Sequence, residues 1–293
     1  MNKMKTTYNI IIVISAFIFL CACEKDVDIE MPGYTPSVVI EGFIANEENP
    51  VIVLTNNIEF SSESGYESYE NSFIHNALIT VKPDNGSPDT LFEISQTDEK
   101  TGLTTSYYTT QDITGYTGVT YELTVIINGN SFSGKATIPE SVSIKDIWYE
   151  DHPVAENDSF KTVWVSILDP IGTNYYRYTS EVNGERGPQP EISTLTDKAF
   201  EGKEFTKAVD SGLENEEEDI HGGVSGYFSL GDTITVYWIN AEKSYYNIWT
   251  TIDFKRSQNQ NPFLNPTRIV GNIDGCLGYW SGLGVDTKTI ILE

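Results

Sequence analysis

The sequence predicts a mainly β protein built as two β-sandwich-like domains, with one α-helix in the second. Three observations carry this. Apolar and polar residues alternate over short runs, as where Tyr121, Leu123 and Val125 are separated by Glu122 and Thr124. Turn signals of the hairpin type, Pro83-Asp84-Asn85-Gly86, Asn128-Gly129 and Asn183-Gly184, punctuate those runs. Only one stretch, Asn240 to Arg256, carries helical spacing.

Taken in order, the first domain is expected over residues 37–140 and the second over 141–293. Val38 to Ile44 and Val51 to Leu54 read as strands, the second set off by Asn49-Pro50. Ser61 to Ser72 is polar and reads as a loop. Ala77 to Val81 is a strand, and Leu91 to Ile94 is expected to return from the Pro83–Gly86 turn. Tyr121 to Ile127 turns at Asn128-Gly129 into a strand ending near Ile138. Strands at this spacing with no helix between them imply a sandwich.

In the second domain, Ile144 to Tyr149, Thr162 to Leu168, Tyr175 to Val182 and Thr233 to Ile239 read as strands. Glu185 to Gly226 is long and polar and reads as a functional or disordered loop. The helix is placed at about 241–256, capped by Asn240 or Ser244, with Tyr245, Ile248, Trp249 and Ile252 on one face and Lys255 and Arg256 at its end. A period of two also fits Tyr246, Ile248, Ile252 and Phe254, so periodicity leaves a strand open here. Leu277, Tyr279 and Val285 fit a closing strand beyond a glycine-rich stretch.

The N-terminus sets the expected address. Lys3 and Lys5 precede an apolar run from Ile10 to Leu20, about half the length a membrane-crossing helix needs. The run stops at Leu20-Cys21-Ala22-Cys23. That is the layout of a signal segment over residues 1–22, and a cysteine after a small residue makes it a lipoprotein signal with Cys23 as the lipid anchor. An ordinary signal segment with an incidental cysteine is the alternative. Residues 23–36 read as a tether reaching about 40 Å when extended. Glu24-Lys25-Asp26 resembles the surface-export signal of Bacteroidota lipoproteins, which implies a body facing outward from the outer membrane.

Charge excludes some partners. The chain carries 18 basic and 43 acidic residues. Removing Lys3 and Lys5 with residues 1–22 leaves a net charge of −27. Such an excess argues against nucleic acid and against anionic headgroups. An aromatic content of 12% supplies β cores and exceeds what a disordered chain carries.

Reactive motifs are absent from the sequence. With Cys21 removed and Cys23 lipidated, only Cys276 remains, so no internal disulfide is expected, and it reads as a buried inert thiol. His75, His152 and His221 lack metal-ligand spacing, no Gly-x-Ser-x-Gly elbow occurs, and no phosphate-cradling glycine loop occurs. Neither catalytic residues, a metal nor a cofactor is expected. Asp84 to Asp89 has closely spaced oxygens but lacks a full calcium loop, and Glu214 to Asp219 reads as a solvated run whose guest, if any, is a cation or basic peptide. Asp89-Thr90-Leu91 and Asp232-Thr233-Ile234 resemble O-glycosylation sites, or simply start strands.

These residues together resemble the lipoprotein family called domain of unknown function 4249. Cys23-Glu24-Lys25 with Val38 to Gly42 looks like its opening. Phe200 to Phe205 and Gly231-Asp232 look like its middle. Tyr245-Tyr246, Asn261-Pro262-Phe263 and Gly271 to Gly275 with Leu277-Gly278-Tyr279 look like its close. The resemblance implies an Ig-like or transthyretin-like first domain, a helix at Asn240 to Arg256 and a TonB-dependent transporter barrel as neighbour; it brings no catalytic residue. The expected function is a non-catalytic surface lipoprotein that captures a small ligand, peptide or glycan for such a transporter, or covers its mouth. The alternative is a structural or adhesive surface protein. Tyr227, Phe228, Tyr279 and Trp280 are the candidate exposed aromatic contacts.

Overall fold

A computed structural model describes residues 37–57, 66–153, 160–186, 190, 192–212, 226–257 and 271–293. Residues 1–22 (the expected signal segment), Cys23, the Glu24-Lys25-Asp26 triplet, the Glu214–Asp219 run, His221 and Asn261-Pro262-Phe263 lie outside the described residues. The chain runs β1 (Val38–Ala45), β2 (Val51–Asn56), a short helix α1 (Tyr66–Glu70), β3 (Leu78–Pro83), β4 (Asp89–Thr90), β5 (Phe92–Thr97), β6 (Thr104–Thr109), β7 (Thr120–Ile127) and β8 (Asn130–Thr137). It continues through β9 (Ile144–Asp151), β10 (Phe160–Leu168), β11 (Tyr175–Val182), β12 (Glu185–Arg186), β13 (Thr194–Thr196), a 3-10 turn at Asp197–Ala199 and β14 (Glu204–Val209). Last come β15 (Phe228–Ser229), β16 (Thr233–Ala241), helix α2 (Lys243–Ser257) and the long β17 (Leu277–Ile291).

The protein is mainly β, and its sheets fit sandwich-like packing. One nine-stranded sheet, in the order β12-β11-β16-β17-β1-β2-β6-β5 with β13 also on β11, runs the length of the body. Two four-stranded sheets pack on one of its faces. The sheet β4-β3-β7-β8 closes the first core, where Ile40, Ile52 and Leu54 meet Ile79, Leu123 and Val125. The sheet of β9, β10, β14 and β15 closes the second, where Val163, Val165 and Ile167 meet Tyr176, Tyr178 and Trp238. Strict alternation along β10 explains this: each fully buried aliphatic side chain contributes about 1.5–3 kcal/mol, so the register with Val163, Val165 and Ile167 inward wins.

Strand β17 is the common wall. Trp280 enters the first core, while Leu292 and Ile290 pack in the second. Between them the connecting chain crosses the strand. A Cβ on Gly282 would lie 2.2 Å from the Thr137 carbonyl oxygen, and one on Gly284 2.5 Å from that of Pro139. The glycine-rich stretch is therefore a groove for the passage from the first core to the second. Asn240 fixes that passage by donating from Nδ2 to the Glu140 carbonyl at 2.9 Å. It belongs to β16 and does not cap the helix.

Helix α2 covers the opposite face of the long sheet. Tyr245 and Ile248 are buried against Ala45, Ile239, Tyr279 and Leu283, with Trp249 and Ile252 packed beside them. Asp253 pins the helix to β13. Its carboxylate accepts the Ser193 and Thr194 N–H groups at 3.0 and 3.1 Å and the Thr194 hydroxyl at 3.0 Å.

Three sequence expectations need correction. Only Asp89–Thr90 forms a ladder with β3; after Leu91, whose N–H still bonds the Ile79 carbonyl at 2.9 Å, the chain crosses to the long sheet, and β5 pairs with β6. Residues 185–226 are not simply a loop, because they contain β12, β13, the 3-10 turn and β14. Within the polar 61–72 stretch, α1 is helical.

Candidate binding pocket

The outer face of the β9–β10–β14 sheet is polar with aromatic inserts. Thr162, Trp164 and Ser166 alternate with the buried valines and isoleucine of β10, so they point away from the second core. Across the register Trp148 stands opposite Trp164 and Glu150 opposite Thr162 on β9, while Ala208 stands opposite Trp164 on β14. The two indoles lie 6.4 Å apart with planes 13° from parallel. Trp148 donates from Nε1 to Glu150 at 3.2 Å.

A cavity of about 500 Å³ opens where this face meets the ends of β9, β14 and the start of β15. That size suits a small ligand. Its origin is a size mismatch: the large Trp164 is flanked by the small Ala208 and the short Thr162. Glu150 and Asp210 line it from the outer phase of the sheet, whereas Asp151 and Lys207, which also line it, stand opposite Lys161 and Val165 in the inward phase. Asp151 pairs with Lys161, whose stem is buried. Asp210 accepts the Gly212 N–H at 2.8 Å. The Lys207 ammonium lies 5.4 Å from the centre of the Tyr178 ring.

Two polar atoms in this wall, Thr162 Oγ1 and Trp164 Nε1, are buried without a hydrogen-bond partner. Such atoms cost about 1–3 kcal/mol each, and sites that accept a ligand are where a fold tolerates them. His152 also lines the cavity, edge-on to Tyr227 at 6.2 Å. Burial pulls its imidazole below the ordinary value of 6.5, which favours the uncharged form.

The aromatic candidates from sequence are not on the surface. Trp280 is fully buried, Phe228 is 2% exposed, and Tyr227 and Tyr279 are each 8% exposed. Trp280 fills the first core and donates from Nε1 to the Tyr121 carbonyl at 2.9 Å. Phe228 belongs to the second core, and Tyr279 lies under helix α2. Tyr227 packs on Phe160 with ring centres 4.1 Å apart and comes nearest the cavity through His152. The signal that marks the pocket instead is a tryptophan in the polar phase of a strand, Trp164 between Thr162 and Ser166.

The remaining candidates have structural partners. Glu93 takes hydrogen bonds from His75, the Asn76 N–H and Tyr108. Asp89 accepts the Thr110 hydroxyl, so that part of the Asp84–Asp89 turn is engaged. Cys276 packs beside the first core, and burial pushes its thiol up to about 11, the reverse of an activated nucleophile. Among the described residues no group of three or more His, Cys, Asp or Glu is placed to hold a metal ion, and no helix is long and apolar enough to cross a membrane.

The sequence matches the family described as Domain of unknown function (DUF4249) over residues 24–289. The chain belongs to that family. The match spans every described element of the DUF4249 body except the end of β17. No curated protein matches the chain. The pocket thus lies well inside the DUF4249 region, on the sheet that closes the second core.

Proposed function

We propose that this protein is a non-catalytic, surface-exposed outer-membrane lipoprotein that captures a ligand for, or covers the mouth of, a TonB-dependent nutrient transporter. The observation that carries the capture step is the open cavity beside Trp164, set on a rigid sheet and lined by convergent polar groups. The Leu20-Cys21-Ala22-Cys23 sequence supports lipid attachment at Cys23, and Glu24-Lys25-Asp26 supports export to the surface. A lipid and a tether of about 40 Å hold the body near any barrel in the same membrane, so weak docking suffices through high effective concentration.

A pull-down from detergent-solubilised outer membranes, with mass spectrometry of co-purified proteins and small molecules, tests this reading. A co-purified barrel transporter is the expected result. Recovery of the lipoprotein alone, or with adhesive surface components only, overturns the transporter partnership. Cys23→Ala is expected to abolish lipidation and Cys21→Ala to leave it intact; the opposite pattern moves the anchor to Cys21. Replacing Glu24, Lys25 and Asp26 by alanine is expected to protect the body from protease added to intact cells.

A further inference from the structure

We propose that the pocket binds an alkylammonium group carried on an apolar stem, as found on a free polyamine or a lysine-bearing peptide. The inference deepens the capture reading and rests on it only for the idea that the pocket binds a ligand. Two acidic residues in the outer phase of the sheet, Glu150 and Asp210, line one small cavity. Each has one oxygen engaged, by the Trp148 indole N–H and the Gly212 N–H respectively. A carboxylate has about four acceptor sites, so each retains capacity for a further donor.

The cations on hand do not balance them. Lys161 answers Asp151, while Lys207 directs its ammonium over the Tyr178 ring and is the only cationic side chain among the described lining residues. Lys207 stands in the inward phase of β14, so among the described lining residues no ammonium faces Glu150 and Asp210. Burial disfavours the charged form of His152. A net chain charge of −25 repels an anionic ligand and raises the local concentration of cations.

The remaining wall suits the stem of such a ligand. Trp164 supplies an indole, whose face attracts a nearby ammonium, and Ala208 and Pro153 supply apolar surface. A bare metal ion would leave this apolar surface unused, and no three-ligand cluster is present among the described residues. An ammonium with several methylenes uses both halves of the cavity at once.

Calorimetric titration of the full chain in detergent tests the proposal with four probes: spermidine, trilysine, cellotriose and triglutamate. Spermidine and trilysine distinguish a free amine from a peptide source. Binding of at least one is expected, weakening as salt is added. The isosteric changes Glu150→Gln and Asp210→Asn are each expected to weaken it roughly tenfold, the order lost with one charge-assisted hydrogen bond. Ala208→Phe fills the cavity without altering charge and is expected to abolish binding, with circular dichroism confirming the fold. The proposal is overturned if neither cation binds, if both charge variants bind as well as the parent, or if cellotriose or triglutamate binds more tightly than either cation. Absence of cation binding beside a co-purified transporter would sink the ligand class and leave the lid reading standing. Cation binding with no transporter partner would do the reverse.

Discussion

Gly42 of β1 lies directly beside Trp280 of β17, and a Cβ at Gly42 would stand 2.9 Å from the indole ring. The indole cannot swing away, because its Nε1 is bonded to the Tyr121 carbonyl across the first core. Gly42→Ala is therefore expected to destabilise the protein by about 1–3 kcal/mol through overpacking. A lowered thermal midpoint with unchanged denaturant slope would support this; an unchanged midpoint would show that the ring gives way.

Asp253 is 3% exposed, and its carboxylate holds two backbone N–H groups of the β13 segment. Asp253→Ala strands those donors in the interior, at an expected cost of about 3 kcal/mol. Asp253→Asn keeps one acceptor oxygen and should cost less. Urea unfolding curves of the two variants measure the difference, and equal midpoints would remove Asp253 as the pin between helix and sheet.

Alkali should unfold the protein through its buried phenols. Burial, and after it hydrogen bonding and charge from Glu93, pushes Tyr108 up to about 12 from 10.0. Burial also raises Tyr176, Tyr178 and Tyr279. Each folded phenol holds its proton more tightly than the unfolded one. The stabilisation is complete below pH 10 and is lost as pH rises through the folded values. Ellipticity and tyrosinate absorbance followed together should change in one cooperative step above pH 10. Gradual ionisation with the fold intact would contradict the prediction.

Acid acts in the opposite sense at Glu93. Burial pushes this carboxyl up, but the hydrogen bonds from His75, Asn76 and Tyr108 outweigh it and hold it below its ordinary value of 4.5. Its contribution is present above that value and is lost as pH falls through the folded one. Glu93→Gln should flatten the acid limb of a stability–pH curve while leaving its alkaline limb in place. A parallel downward shift at all pH values would mean that the charge plays no part.

Local signals in the sequence reported the local structure well. The turn pairs Asn128-Gly129 and Asn183-Gly184 take positive φ at both residues, and the alternating strands β7, β10 and β16 lie where their patterns place them. The face of α2 that packs on the sheet is the one carrying Tyr245, Ile248, Trp249 and Ile252. Long-range choices left no such mark. β14 alternates Phe205, Lys207 and Val209, and a lysine in the inward phase hides the strand until Tyr178 is seen beneath its ammonium. The chain changes sheets after Leu91, at a point where the hairpin signal alone suggests a simple return. The glycines at 282 and 284 answer a carbonyl chain some 145 residues earlier, a separation no window detects. Burial of Tyr227, Phe228, Tyr279 and Trp280 was equally invisible, because an aromatic in a strand looks the same whichever wall it faces.

The parallel pairing of β1 with β17, from Val39 opposite Leu277 to Ala45 opposite Leu283, has a mechanical consequence. β1 is flanked on its other side by β2, so the first strand of the body lies inside the long sheet and not at its margin. Tension applied at Val38 would run along β1 and load both of its ladders in shear, many hydrogen bonds at once. An edge strand would instead peel away one bond at a time. Pulled between its two ends, the chain would present β1 and β17 sliding past each other lengthwise, the more resistant geometry. The sheet that holds β1 is therefore suited to being tugged at Val38 without unravelling.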